Sequence, residues 1–133
     1  YWEMAMENKR NLFSPLIVSN ASYLLASLSA SGKGLYLLSV MLLGNFLLSV
    51  VYHLYRERKF RNIDVFFAHS TVAYVFLLIA FGYFEILSAF TGLIIFLMSL
   101  YFHNLDEITD DNYERNHTVW HMLSGLSIIV MCL

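Results

Sequence analysis

Charge is scarce in this chain. Lys, Arg, Asp and Glu make up only 14 % of its 133 residues, against 59 % hydrophobic residues. A soluble domain this short cannot hide so much apolar surface inside itself. With a mean hydropathy of +0.61, facing lipid is the lower-energy solution. Cysteine occurs once, at Cys132, which excludes an internal disulfide framework and says little about redox compartment. The net charge of −2 gives no reason to expect a nucleic-acid partner. There is no internal repeat and no low-complexity tract. The opening "YWEMAMENKR" is too polar and too mixed in charge for a cleavable signal peptide. Tyr1 at the start and the apolar "IIVMCL" at the end read as the ends of a processed or trimmed chain. Period-two alternation is missing too, so a membrane β-barrel is a poor fit.

What is present is a series of long apolar runs. A spanning helix needs about 20 mostly apolar residues, because lipid leaves no partner for an open backbone. Five runs fit, at 13–31, 35–55, 63–81, 83–102 and 117–133. The first is the most polar, with several Ser and one Asn. Its Ser14-Pro15 start suits a helix cap followed by Pro in the first turn. "SGKG" and Gly82 mark turns. The expectation is an all-α, polytopic transmembrane bundle of about five helices, in a single domain over 1–133.

Five crossings put the N-terminus, the 56–62 loop and the 103–116 loop on one side. Lys9, Arg10, Arg56, Arg58, Lys59, Arg61 and Arg115 lie there, while Lys33 alone lies on the other. The positive-inside rule then faces the basic side toward the cytosol or an equivalent such as the mitochondrial matrix.

The same topology gathers ionisable groups on that side. His53 ends the second helix, Asp64 starts the third, His103 closes the fourth, and His117 and His121 open the fifth. His117 and His121 are four residues apart and share a helix face, as Ser49 and His53 do. A His pair at this spacing can hold one metal ion. Three imidazoles make a tri-histidine zinc site with a fourth position open to water. Asp64 is then available to accept a proton from that water, and Ser49 to donate a hydrogen bond. Taken singly, each group has an ordinary reading. His69 and His103 read as interfacial residues, with His69 on a different side of its helix from Asp64. Asp64 reads as a helix cap, and Ser49 as bonded to its own backbone. Together they point to a site, because ionisable groups at membrane depth are costly and usually functional.

Ser49-x-x-x-His53, Asp64 eleven residues later, and His117-x-x-x-His121 resemble the signature of the CREST superfamily. That group includes alkaline ceramidases, adiponectin and progestin receptors, and myomaker-like proteins. The His53-to-Asp64 spacing is most similar to the ceramidases. "SNASYLLA" and "HTVWHMLSG" are closer to the myomaker-like branch. The resemblance implies three zinc-ligating histidines, with Ser and Asp around the metal-bound water, and a zinc-dependent lipid amidase or esterase within the bilayer. Family members usually have seven helices, three of them between the Asp and the final His pair. Here 53 positions separate Asp64 from His117, enough for one clear helix, so the chain resembles a short, divergent member with thinner cavity walls.

Three functions follow as alternatives. The first is an intramembrane zinc hydrolase of a lipid amide or ester, ceramidase-like or phospholipase-like. Asp64 and Ser49 would be catalytic, and His53, His117 and His121 would be the metal ligands. The second is a non-catalytic subunit of a larger membrane assembly, with zinc structural or lost and the acidic "DEITDDNYERN" available to dock a neighbour. The third is haem held by histidines from two helices, which leaves Ser49 and Asp64 without a task. The expected partners are membrane lipids and, in the second reading, other membrane subunits.

Overall fold

The computed structural model describes residues 13–55, 57–108 and 112–133. Lys9, Arg10, Arg56 and positions 109–111 of the expected acidic loop lie outside the described residues. Within them every regular element is a helix: α1 (Pro15–Val18), α2 (Ala21–Gly32), α3 (Tyr36–Tyr55), α4 (Arg58–Ala80), α5 (Ile86–Ile108) and α6 (Tyr113–Met131). The fold is therefore an all-α bundle of five helices, the first preceded by a single helical turn.

The expected first span is broken at Ser19-Asn20. The Ser19 hydroxyl and the Asn20 amide both donate to the Leu16 carbonyl, at 3.0 and 2.9 Å. Short polar side chains thus take over an acceptor that a continuous helix would use. Pro15 does occupy the first turn, but the Ser14 side chain makes no capping bond. α4 begins at Arg58, not at 63 as expected, with Glu57 in the cap position. The basic stretch read as a loop is the opening turn of this helix, since Arg and Lys are good helix formers. Asp64 is accordingly an interior residue of α4 and not a cap.

Two glycines end helices as expected. Gly34 and Gly82 have φ of +80° and +74°. In each case the glycine N–H bonds back to Ser31 or Ile79, and the next N–H bonds to Ala30 or Leu78. This is a Schellman closure, which needs a left-handed residue that glycine supplies without a Cβ clash.

α3, α4 and the 86–105 part of α5 are long and apolar enough to cross a membrane. α2 has only 12 residues, short of a full span on its own. α6 is diluted by polar side chains, and those are turned inward: Asn116, His117, His121 and Ser127 are all buried. The distribution is unlike that of a soluble protein. Among the described residues, buried polar and buried hydrophobic residues are equally numerous, twelve of each, while Phe66, Ile86 and Leu87 are 72 to 90 % exposed. An apolar exterior around polar contacts is what a bilayer solvent selects.

The helices pack in the spatial order α4, α3, α2, α6, α5. This row curls so that its ends face each other across a cavity, where Phe76 of α4 meets Phe96 of α5 edge-on at 6.4 Å. Interhelical hydroxyls hold the row together: Ser22 donates to the His121 carbonyl and Ser27 to the Ser39 carbonyl, each at 2.8 Å. Close approach depends on small residues. A Cβ on Gly125 would lie 2.5 Å from the Ser22 Cβ, and one on Gly92 would lie 2.8 Å from the Ser127 carbonyl oxygen. A hydrophobic core of Ala26, Ala30, Leu38, Leu42, Val75 and Met131, among others, fills the end of the bundle remote from His53.

Candidate metal centre

His53 comes from the last turn of α3 and is 3 % exposed. His117 and His121 come from one face of α6 and are also buried. The α2–α6 contact and the α1 turn draw these helices together, so residues 64 positions apart meet in space. The rings lie in mutual edge-on contact, with centroids 5.1 Å apart for His53–His117, 5.2 Å for His53–His121 and 4.6 Å for His117–His121. One ring nitrogen from each comes within 4.8 Å of the others. On a tetrahedral zinc ion with bonds of about 2.0–2.1 Å, ligand nitrogens lie about 3.4 Å apart. Rotation of the three side chains toward a common centre would draw the nitrogens in by up to about 1.4 Å. The three buried histidines can therefore hold a metal ion.

Further side chains fix the rings. The Ser19 hydroxyl donates to Leu16 and lies 3.1 Å from Nδ1 of His121. Since that hydroxyl proton is committed to Leu16, Nδ1 of His121 is the donor to Ser19. The Nε2 lone pair is then left for a metal, the arrangement that outer partners of metal-binding histidines impose. Tyr113 stacks on His117 at 4.9 Å. Trp120 packs against His117, His121 and His103 at 4.8, 5.1 and 4.5 Å. Tyr23 meets His121 edge-on at 5.7 Å. Sequence reasoning missed these partners. Tyr113 and Trp120 had a signal, since they sit four before and three after His117 on the same face. Ser19 and Tyr23 had none, because their partner lies about a hundred residues away.

A cavity of about 550 Å³ opens beside the triad, with His121 in its wall. Ser49 and Asp64 line it as well. The Ser49 hydroxyl is buried with no hydrogen-bond partner, so it does not bond its own backbone as the ordinary reading had it. Asp64 is half-buried and has no cation partner among the described residues. His103 and His69 line the same cavity. His69 does so while remaining exposed, as its interfacial reading has it, whereas His103 is half-buried. The cavity spans two adjoining rows of α4, one through Asp64 and Ala68, the other through His69 and Val72. His69 is also tied to its helix through Nδ1 and the Val65 carbonyl at 2.7 Å. Deeper walls are apolar, with Leu42, Val75, Leu93 and Met131 among them.

No protein-family model, no curated protein and no solved structure matches the chain. The arrangement itself is a buried tri-histidine cluster beside a deep, mostly apolar cavity that also presents an acid and a hydroxyl.

Proposed function

We propose that this chain is a short, divergent CREST-type membrane protein that binds zinc through His53, His117 and His121 and hydrolyses a lipid amide or ester. The convergence of the three histidines, with His121 in the wall of a lipid-sized cavity, carries the reading, since pockets of 300–1,000 Å³ suit small ligands. Zinc at this position would supply a Lewis acid and an activated water. Asp64 takes the proton released on attack and returns it to the departing amine or alkoxide. The Ser49 hydroxyl, without a partner in the resting structure, donates to the carbonyl oxygen as negative charge develops there. The acyl chain lies in the apolar well and enters sideways between α4 and α5. The excess of basic residues on the triad side supports a cytosolic or matrix-facing site.

The test is metal content and turnover together. Purified wild-type protein should carry one zinc per chain and cleave ceramide-like or phospholipid substrates, and His117→Ala should lose the metal without losing assembly. A pure preparation that binds no zinc from solution refutes the reading. The loose seam between α4 and α5 favours one second reading, a non-catalytic subunit whose neighbour packs into the gap. Stoichiometric zinc with no hydrolysis, in a preparation that copurifies with another membrane protein, supports that alternative.

A further inference from the structure

Apart from Ser124 and Ser127, whose hydroxyls donate to carbonyls of their own helix, and Tyr23, the cavity has polar side chains at two levels. One is the triad end. The other lies deeper, where Asn45 and Thr71 face each other across α3 and α4. Asn45 is 6 % exposed and Thr71 4 %. The Asn45 Nδ2 donates to the Thr71 hydroxyl at 2.8 Å, and that hydroxyl donates to the Phe67 carbonyl at 3.0 Å. This chain of bonds fixes the amide orientation: Nδ2 faces Thr71, so Oδ1 is the free end. Oδ1 is buried and has no hydrogen-bond partner. An interhelical bond alone would explain Nδ2 and Thr71. It leaves a buried amide oxygen unpaired on a residue of the cavity wall, where an unmade bond is costly.

Asn45, Ser49 and His53 follow one another at intervals of four on a single face of α3. At about 1.5 Å per residue, Asn45 lies roughly 12 Å below His53 along the helix. Carbon–carbon bonds of about 1.5 Å, zig-zagging at the tetrahedral angle, advance about 1.25 Å each. A chain extended from the triad therefore reaches the Asn45 level about nine or ten carbons along. Below that level Leu42, Val75 and Met131 continue the well, so the chain has room to run on past the amide.

We propose that Asn45 is a second polar anchor in the well, an acceptor for a hydroxyl group carried at mid-chain, so that the site selects lipids with a hydroxylated acyl chain. The inference rests on the lipid reading of the cavity and names the substrate class within it. A mid-chain hydroxyl entering an apolar well loses its water, and Asn45 Oδ1 replaces that bond. A plain chain leaves the oxygen stranded. Selection against the unsubstituted chain follows, because a site built to bond a hydroxyl is penalised when the hydroxyl is missing.

Binding tests this without turnover. The full chain in nanodiscs is titrated with stearic acid, 10-hydroxystearic acid and 2-hydroxystearic acid, by displacement of a fluorescent fatty acid. The expected result is about three- to tenfold tighter binding of the 10-hydroxy acid than of stearic acid, the size of one net hydrogen bond. In Asn45→Leu the order should invert, with stearic acid bound at least as well as by wild type. The wild-type comparison stands even if the variant fails to fold. Equal or weaker binding of the 10-hydroxy acid by wild type, as expected if Oδ1 merely holds a water, overturns the proposal. So does failure of wild type to bind any of the three acids, or a preference that survives in Asn45→Leu. A protein that binds the hydroxy acid selectively but cleaves nothing refutes only the hydrolase reading, and an active hydrolase indifferent to the hydroxyl refutes only this one.

Discussion

Replacing Ser19 with alanine removes one oxygen atom, and its effect on metal affinity can be worked out in advance. In the wild type that oxygen accepts from Nδ1 of His121 at 3.1 Å and donates to the Leu16 carbonyl at 3.0 Å. Without it, the ring can turn or shift its proton to Nε2, the nitrogen the metal needs. Loss of such an outer partner costs 10- to 100-fold in metal affinity, or about 1.4–2.8 kcal/mol at 1.4 kcal/mol per decade. That range matches the value of a hydrogen bond to a charged group, about 1.5–3 kcal/mol, and an imidazole on zinc behaves as one. The expected loss is therefore about ten- to a hundredfold. Zinc affinity is read by competition with a chelator of known strength, for wild type, Ser19→Ala and Ser19→Thr, the last keeping the hydroxyl. Ser22→Ala is the control, since Ser22 bonds the backbone carbonyl of the same His121. It should lower stability by about 1 kcal/mol and leave zinc affinity unchanged. If Ser19→Ala binds zinc within twofold of wild type, or Ser22→Ala loses as much, Ser19 does not orient the ring.

Asp64→Asn should keep zinc at wild-type stoichiometry while lowering turnover on a lipid amide by about 10²- to 10⁴-fold; equal loss of metal would make Asp64 a ligand instead of a proton acceptor. Gly125→Val should drive α2 and α6 apart, because the first added carbon already meets Ser22. A destabilisation of about 1–3 kcal/mol is expected in a thermal melt, with loss of zinc binding as His121 is displaced. Gly82→Ala should cost about 1–2 kcal/mol from the left-handed backbone alone and leave zinc affinity untouched, since the α4–α5 turn lies at the opposite end of α4 from Asp64.

The helices were legible wherever burial and lipid exposure demanded the same residue type. Tyr36–Tyr55 is apolar over the length of a span apart from one inward face, and glycines with positive φ close α2 and α4 where the chain was expected to turn. The triad was legible for a different reason: His117 and His121 share a face, and counting crossings brings His53 to the same layer. What stayed hidden lay where tertiary contact overrules local pattern. Ser19 and Asn20 interrupt a run that composition alone reads as continuous, because Leu16 supplies them with a nearby acceptor. α4 starts five residues before its apolar stretch, since charged residues can be helical once they leave the hydrocarbon. His103 and the exposed His69 border the cavity, which depends on a curl of the bundle that no single helix encodes.

The seam at Phe76 and Phe96 also sets how any occupant of the well would be delivered. A molecule that slips between α4 and α5 stays dissolved in hydrocarbon throughout. Occupancy would then follow its mole fraction in the membrane and not its aqueous concentration. Diluting the surface with inert lipid would empty the well, while diluting the vesicles in buffer would not.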